Sequence, residues 1–157
     1  MPAFFDRDLL DALSTAAAGS PRLRSHRNLH ASMDEPVQRL LIGIEPGSYV
    51  MPHRHLTPGY DETLLILRGS VGVLVFDDAG HVEHCVRLDA GGSTTGYHLP
   101  CNTWHSICAL QAGTICFEVK LGPYRPLVDA ERATWAPTEG SEGVTSYLAG
   151  LQAHFAA

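Results

Sequence analysis

Short apolar runs bounded by turn residues recur along the chain from Val37 onward. They are spaced by about 8–12 residues, an interval that is typical of strands in all-β sandwiches and barrels. The runs end at turns rich in Gly, Pro, Asn or Asp. Many are apolar on both faces, as expected where two sheets pack together. The sequence therefore predicts an all-β fold with strands over residues 37–44, 49–55, 62–69, 70–76, 81–88, 94–99, 104–110 and 114–121.

Two amphipathic helices are predicted to flank these strands. Residues 4–18 place one apolar stripe on a helix, formed by Phe5, Leu9, Leu10, Leu13 and Ala17. Residues 142–155 place a second stripe, formed by Val144, Tyr147, Leu148, Leu151 and Phe155, and Ser141 is the candidate N-cap. A chain of 157 residues suits a single domain. We divide it into a helix and arginine-rich arm (1–36), a barrel (37–125) and a C-terminal extension (126–157).

The composition argues against several classes of protein. The formal net charge of −6 argues against a nucleic-acid-binding protein. No apolar run approaches the roughly 20 residues that cross a bilayer, and charged residues between Asp6 and Asp11 interrupt any signal-peptide core. The four cysteines form no CxxC pair, which is typical of reduced thiols. We therefore expect a cytoplasmic protein without a nucleic-acid or membrane partner.

Two histidines separated by one residue, His53 and His55, are the first candidates for chemistry. In a strand, residues two apart point to the same face, so the two imidazoles would lie side by side. Glu62 opens the next run, which would form a hairpin with the first, and His105 opens a later one. Imidazole and carboxylate groups bind divalent transition metals, and four of them leave a position open for substrate. The alternative is that the histidines are polar residues on a solvated strand.

The spacing around these residues resembles the sequence motifs of the cupin superfamily. The first motif is matched, with a longer gap before the glutamate, by Gly47, His53, His55, Glu62 and Gly69. The second is matched in reduced form by PCNTWH, residues 100–105. Asn102 stands where cupins usually carry glycine, and asparagine tolerates the left-handed backbone that glycine would adopt there.

A closer resemblance is to the WbuC-family cupin-fold metalloproteins, which are bacterial. It rests on the stretches RLRSHRNLH, PHRH, LRGSVGVLVFDDAG, WHSICAL, FEVKLGPYRP and WAP. The resemblance implies a double-stranded β-helix, the jelly-roll barrel, with one divalent metal (Fe, Zn, Ni or Mn) held inside by His53, His55, Glu62 and His105. It also implies a place in polysaccharide or O-antigen sugar metabolism.

The function favoured by this resemblance is a metal-dependent enzyme of isomerase type that acts on a small polar or anionic, sugar-like substrate. A metal-dependent dioxygenase of a small acid stays open as an alternative. So do a non-catalytic ligand-binding or sensor protein and a purely structural metal. The sequence leaves the catalytic residues unassigned. Cupins commonly dimerise, so a homodimer is a further expectation.

Several polar residues are candidates for contacting a small anionic ligand. The planar fork of arginine suits carboxylate and phosphate groups, so the arm before the barrel could fold over its open end. The alternatives for this arm are a solvated connector and a contact with a dimer partner. The substrate-binding candidates are Arg22, Arg24, Arg27, Tyr60, Lys120 and Tyr124.

Plainer roles are expected for other residues near the site. Glu118 and Lys120 alternate on the last predicted strand, where an outward salt bridge is favoured over an inward polar pair. Cys101 is expected to be a small packed thiol. Side-chain alternation predicts apolar cavity walls from Met51, Leu64, Ile66 and Ile107. We expect His81 and His84 to lie at the surface.

Overall fold

The computed structural model describes residues 4–156, and its strands form two antiparallel sheets. The strands are β1 (Arg24–Asn28), β2 (Val37–Ile44), β3 (Glu62–Arg68), β4 (Ser70–Phe76), β5 (Val82–Asp89), β6 (Gly96–Leu99), β7 (Trp104–Ala109) and β8 (Thr114–Leu121). One sheet has five strands in the order β1-β2-β8-β3-β6, and the other has three in the order β5-β4-β7. The predicted all-β fold with a helix near each end is confirmed.

Seven of the eight predicted strands are present. The eighth observed strand is formed by a segment that was not predicted to be a strand. The predicted strand over 49–55 is wrong, because this segment is irregular and makes only isolated β-bridges, from His53 to His105 and to Arg132. Pro52 has no N–H to donate to a ladder, which disfavours a regular strand here. The unpredicted strand is β1, in the stretch interpreted as an arm. It is polar, and backbone pairing with β2 from Arg24 opposite Ile44 to Asn28 opposite Leu40 holds it at the sheet edge.

Aliphatic side chains from both sheets fill the space between them. β2 turns alternate residues inward and outward, so Leu40 and Ile42 enter this interior while Leu41 faces the other way. Burial of apolar surface stabilises the fold by roughly 25 cal/mol per Å². The buried members of this core are Leu40, Ile42, Ile44, Leu64, Ile66, Val71, Val73, Leu88, Ile107, Ala109 and Cys116.

The N-terminal helix α1 (Arg7–Ala18) covers the outer face of the five-stranded sheet. The Asp6 carboxylate accepts a hydrogen bond from the Leu9 N–H at 3.0 Å and caps the helix, which therefore begins three residues later than predicted. Leu13 packs with Leu41 and Ile115 in a second cluster. This cover explains why β2 is apolar on both of its faces.

The C-terminal helix α2 (Val144–Ala153) covers the outer face of the three-stranded sheet. The apolar stripe predicted for it packs with Leu74, Phe76 and Trp104. The predicted N-cap Ser141 is wrong, because Gly143 holds that position with a left-handed backbone (φ 86°). Among residues 4–156, no helix has the length and apolar character required to cross a membrane.

Candidate metal centre

Four candidate ligand side chains converge between the sheets. His53, His55, Glu62 and His105 each contribute one nitrogen or oxygen atom, and these atoms all lie within 4.8 Å of one another. The ring centroids of His53 and His105 are 4.5 Å apart, and those of His53 and His55 are 5.2 Å apart. Three imidazoles and a carboxylate within this radius could hold a divalent transition metal ion.

The backbone brings His53 to His105 without a regular strand. The His53 N–H donates to the His105 carbonyl at 3.0 Å, and the His105 N–H donates to the His53 carbonyl at 2.9 Å. On the other side, the Ala133 N–H donates to the Pro52 carbonyl at 3.1 Å. The histidine segment is therefore held between β7 and the C-terminal extension. The predicted hairpin between this segment and the strand of Glu62 is wrong, because the segment bridges to β7 instead of β3.

Hydrogen bonds fix which ring nitrogens are free to bind a metal. Nδ1 of His53 lies 3.0 Å from the Met51 carbonyl oxygen, and Nδ1 of His105 lies 2.9 Å from the Thr103 carbonyl oxygen. A carbonyl oxygen can only accept, so each neutral ring carries its proton on Nδ1 and a lone pair on Nε2. Within the described chain, Nε2 of His55 and Nε2 of His105 are buried without a hydrogen-bond partner. Such unpartnered atoms beside a carboxylate fit a metal ion.

Burial keeps two of the imidazoles neutral. It lowers the pKa of His53 to about 3, and the nearby His105 adds to the effect. Burial also lowers the pKa of His105. Neutral imidazole is the form that coordinates a metal, so these rings need not lose a proton first.

Glu62 begins β3 and is only 4% exposed. Its carboxylate oxygens lie 3.4 Å from Nε2 of His55 and 3.7 Å from Nε2 of His105, and one of them accepts a hydrogen bond from the Tyr97 hydroxyl. Burial opposes ionisation, but His55 and Lys120 outweigh it and hold the pKa of Glu62 well below its usual value. Glu62 is therefore a carboxylate, the form that binds a metal.

Glu118 and Lys120 form an inward polar pair, so the predicted outward salt bridge is wrong. In the ladder between β3 and β8, Lys120 lies opposite Glu62 and Glu118 lies opposite Leu64. Paired residues share a face of the sheet, and this face is the interior. Nζ of Lys120 lies 2.8 Å from the Glu118 carboxylate and 3.7 Å from the Glu62 carboxylate. The second carboxylate gives the ammonium a partner inside the barrel, which the spacing on one strand does not reveal.

Burial and the neighbouring charges shift the pKa values of both members of this pair. Burial raises the pKa of Glu118, and the negative charge of Glu62 raises it further. Burial alone would lower the pKa of Lys120, but the two carboxylates outweigh it and raise that pKa above its usual value. Lys120 is therefore a permanent cation beside the candidate ligands.

The four candidate ligands line a cavity of about 300 Å³. One part of its wall is aliphatic and includes Leu40, Ile42 and Ile107. Polar residues that the sequence did not indicate also line it, namely His26, Asn28, Gln38 and Tyr97, together with His30 and with Glu118, whose side chain was expected to point outward. For His26 and Asn28, the signal available was the alternation of polar residues along β1.

The predicted apolar walls are only partly found. Ile107 lines the cavity, while Leu64 and Ile66 lie in the core between the sheets. Met51 packs against the cluster beneath α2. Its assignment to the cavity wall is corrected, because the alternation used to predict it applies to strands and this segment is irregular.

Most of the predicted substrate-binding residues line this cavity. They are Arg22, Arg24, Tyr60, Lys120 and Tyr124. Arg27 is exposed and lies outside the lining, because alternation along β1 turns Arg24, His26 and Asn28 to one face and Arg27 to the other. The Tyr60 hydroxyl donates to the Pro123 carbonyl at 3.0 Å and ties two loops together at the cavity.

The arginine stretch is paired with Glu139, a residue that the sequence did not single out. The Glu139 carboxylate accepts hydrogen bonds from Arg22 at 2.6 and 2.7 Å and from Arg24 at 2.9 and 3.0 Å. Hydrogen bonding to Arg22 lowers the pKa of Glu139. The arginines thus contact the C-terminal extension at the cavity.

The remaining residues near the motifs have structural roles. Asn102 adopts a left-handed backbone (φ 63°), as predicted, and its N–H donates to the His55 carbonyl at 2.7 Å. Cys101 is a half-buried free thiol outside the ligand cluster. The surface positions predicted for His81 and His84 are confirmed.

Comparison with solved structures supports the fold. KdgF from Halomonas sp. is 18% identical and matches with a TM-score of 0.52, covering 68% of this chain and 85% of the other. A cupin superfamily protein from Desulfitobacterium hafniense is 17% identical, with a TM-score of 0.52 and coverage of 69% and 86%. A conserved protein of unknown function from Streptococcus pyogenes is 14% identical, with a TM-score of 0.50 and coverage of 68% and 80%. At these identities the likeness concerns the fold alone.

Fold and site together define a cupin-fold protein with a candidate metal centre inside its barrel. The family comparison identifies the family of the chain but no activity. Residues 5–88 match a family described as a domain of unknown function (DUF6016), and the chain belongs to that family. A comparison with curated proteins finds no match.

Proposed function

We propose that this protein is a metal-dependent enzyme that holds one divalent transition metal through His53, His55, Glu62 and His105. The observation that carries the proposal is the convergence of four ligand atoms within 4.8 Å of one another on a single cavity. Iron, zinc, nickel and manganese all accept imidazole and carboxylate ligands. A metal bound here would polarise a carbonyl or hydroxyl group of a molecule in the cavity.

The proposed substrate is small, polar and anionic, with a sugar-like skeleton. Arg22, Arg24 and Lys120 bring positive charge to the cavity, and Tyr60 and Tyr124 bring hydroxyl groups. A volume of about 300 Å³ is in the range of small-molecule sites. The resemblance of the sequence to the WbuC family supports a substrate from bacterial polysaccharide or O-antigen sugar metabolism.

The proposed reaction is an isomerisation. Moving a proton between neighbouring carbon atoms requires a group that accepts and returns it. Glu118 is a candidate for this role because it is a second buried carboxyl group on the cavity and is not part of the candidate ligand set. Lys120, 2.8 Å from Glu118, would orient that carboxyl group and attract the anionic part of the substrate.

The first test is elemental analysis of gently purified wild-type protein beside His53→Ala and His105→Ala. We expect close to one equivalent of metal in the wild type and its loss in both variants, because each removes one of four ligands. His81→Ala, which changes an exposed histidine outside the cluster, is the matched control and should keep its metal. A wild type that takes up no metal after reconstitution, or full turnover by metal-free His105→Ala, would overturn the proposal.

The identity of the metal directs the activity assays. If zinc, nickel or manganese is found, isomerase assays on phosphorylated and nucleotide sugars come next. If iron is found, oxygen-consumption assays with small acids come next. Metal-dependent ligand binding without turnover would instead identify a binding or sensor protein. A large loss of thermal stability with chelator, without any ligand-induced shift, would identify a structural metal. The homodimer and the cytoplasmic location stay predictions, to be tested by light scattering and cell fractionation.

A further inference from the structure

Two arginine side chains share one carboxylate at the cavity. Nε and Nη2 of Arg22 lie 2.6 and 2.7 Å from the two carboxylate oxygens of Glu139. Nη2 of Arg24 lies 3.0 and 2.9 Å from the same two oxygens. The planar guanidinium of Arg22 therefore binds the carboxylate as a fork, which is the geometry preferred for this group.

The position of Arg24 does not depend on Glu139. Its other amino group, Nη1, donates to the Tyr49 carbonyl at 2.8 Å and to the Ser48 hydroxyl at 3.1 Å. The Ser48 hydroxyl in turn donates to the Arg22 carbonyl at 2.8 Å. The Arg24 side chain is only 10% exposed, so it is fixed by the fold and would keep its place if Glu139 left.

Glu139, by contrast, is partly open to solvent. Its side chain is 36% exposed and that of Arg22 is 58% exposed, so an incoming ligand can reach this end of the ion pair. Glu139 belongs to the segment between the 3-10 helix (Asp129–Glu131) and α2, outside both sheets.

The arginine pair adjoins the candidate metal centre. Arg22, Arg24 and His53 line both the central cavity and a neighbouring recess, and Glu139 lies on that recess. Two guanidinium groups facing one carboxylate leave an excess of positive charge at this position. A ligand that contacts the candidate metal ligands therefore has a cationic subsite next to it.

We propose that Arg22 and Arg24 form a carboxylate-binding subsite for the ligand of the cavity, and that Glu139 fills this subsite as an internal competitor. The inference rests on the proposed function, since it assumes a small anionic ligand in the cavity. A carboxylate is favoured over a phosphate because a carboxylate occupies the subsite in this structure. An incoming carboxylate takes over the hydrogen bonds from the arginines and releases Glu139 into solvent.

The test is calorimetric titration of wild type and Glu139→Gln with D-gluconate, a sugar acid with one carboxylate. Removing the competitor should tighten gluconate binding by about two- to fivefold, because the ligand no longer has to displace a partly exposed carboxylate from the arginines. Adding Arg24→Gln to Glu139→Gln should abolish the gain. The affinity for sorbitol, which lacks the carboxylate, should be the same in Glu139→Gln as in the wild type. Asp11→Asn, which breaks an exposed arginine–carboxylate pair with Arg68 away from the cavity, should bind gluconate as the wild type does.

Hydrogen exchange in the wild type supplies a measurement that needs no variant. Gluconate should raise the exchange of backbone amides over residues 138–142 while protecting β1. Titrations in chelator and with zinc-loaded protein separate the two proposals, because the arginine subsite needs no metal. Unchanged gluconate affinity in folded Glu139→Gln, or gluconate binding that slows exchange over 138–142, would overturn the subsite. Stronger binding of inorganic phosphate than of gluconate to Glu139→Gln would overturn its assignment to carboxylates.

Discussion

Lys120, the single lysine of the chain, should be essential for stability because its ammonium lies between two buried carboxylates. Glu62 is 4% exposed and Glu118 is 7% exposed. Replacing Lys120 by methionine keeps much of the side-chain volume but removes the positive charge. Two carboxylates then face each other in the interior without a cation between them.

The magnitude follows from what removal of one partner costs in a buried ion pair. Such a change destabilises proteins by about 3–5 kcal/mol, because an uncompensated buried charge is left behind. The Lys120 side chain is 22% exposed, so the lower end, about 3 kcal/mol, is appropriate here. For a domain of this size that corresponds to a fall of roughly 6–12 °C in melting temperature.

The stability lost by Lys120→Met should increase as the pH rises. The pKa of Glu118 is already raised by burial and by Glu62, and removal of Lys120 raises it further. A group with a raised folded-state pKa binds more protons in the folded state, so the free energy of unfolding falls as pH increases through that pKa. The free energy of unfolding of Lys120→Met should therefore be close to that of the wild type at about pH 5, and the difference should be largest at about pH 8.

Urea titrations of metal-free protein across this pH range measure the effect directly. Glu118→Gln added to Lys120→Met should recover most of the loss and remove its pH dependence, since the second buried carboxylate is gone. Arg125→Met is the matched control, because it removes an exposed cation from the lining of the same cavity. If Lys120→Met and the wild type unfold alike from pH 5 to pH 8, the inward ion-pair arrangement is not what stabilises this end of the barrel.

Two further predictions concern the support of the candidate ligands. Tyr97→Phe removes the hydroxyl that donates to Glu62 but keeps the ring, so metal affinity should fall about tenfold in competition with a chromophoric chelator, with little change in melting temperature. An unaltered affinity would mean that this hydrogen bond does not orient the ligand. Asn102→Ala places a less tolerant residue at φ 63° and should cost about 1 kcal/mol in urea unfolding, whereas Asn102→Gly should cost nothing. Equal stability of the two variants would contradict the backbone argument.

Much of the fold could be predicted because its signals are local. Seven strands are apolar runs closed by turn residues, and both helices carry an apolar stripe whose period is independent of tertiary contacts. β1 could not be found in this way, because it is a polar strand at a sheet edge and is defined by its backbone pairing with β2. The segment around His53 was wrongly predicted to be a strand because its local pattern disagrees with its tertiary contacts. Its alternation suggests a strand, but Pro52 and the contacts with β7 and the C-terminal extension determine its path.

The candidate ligands could be predicted because their chemical type and spacing form a motif, whereas the residues that tune them could not. Whether Glu118 and Lys120 point inward depends on which strand lies beside β8, and that neighbour, β3, supplies the carboxylate of Glu62. Tyr97 reaches Glu62 from β6, on the other side of β3. Both partners thus come from strands far apart in sequence that meet only in the folded sheet. The charge and the hydrogen bonding of Glu62 are therefore set by strand order, and a variant that shifted the register of β3 would alter the site without changing any ligand.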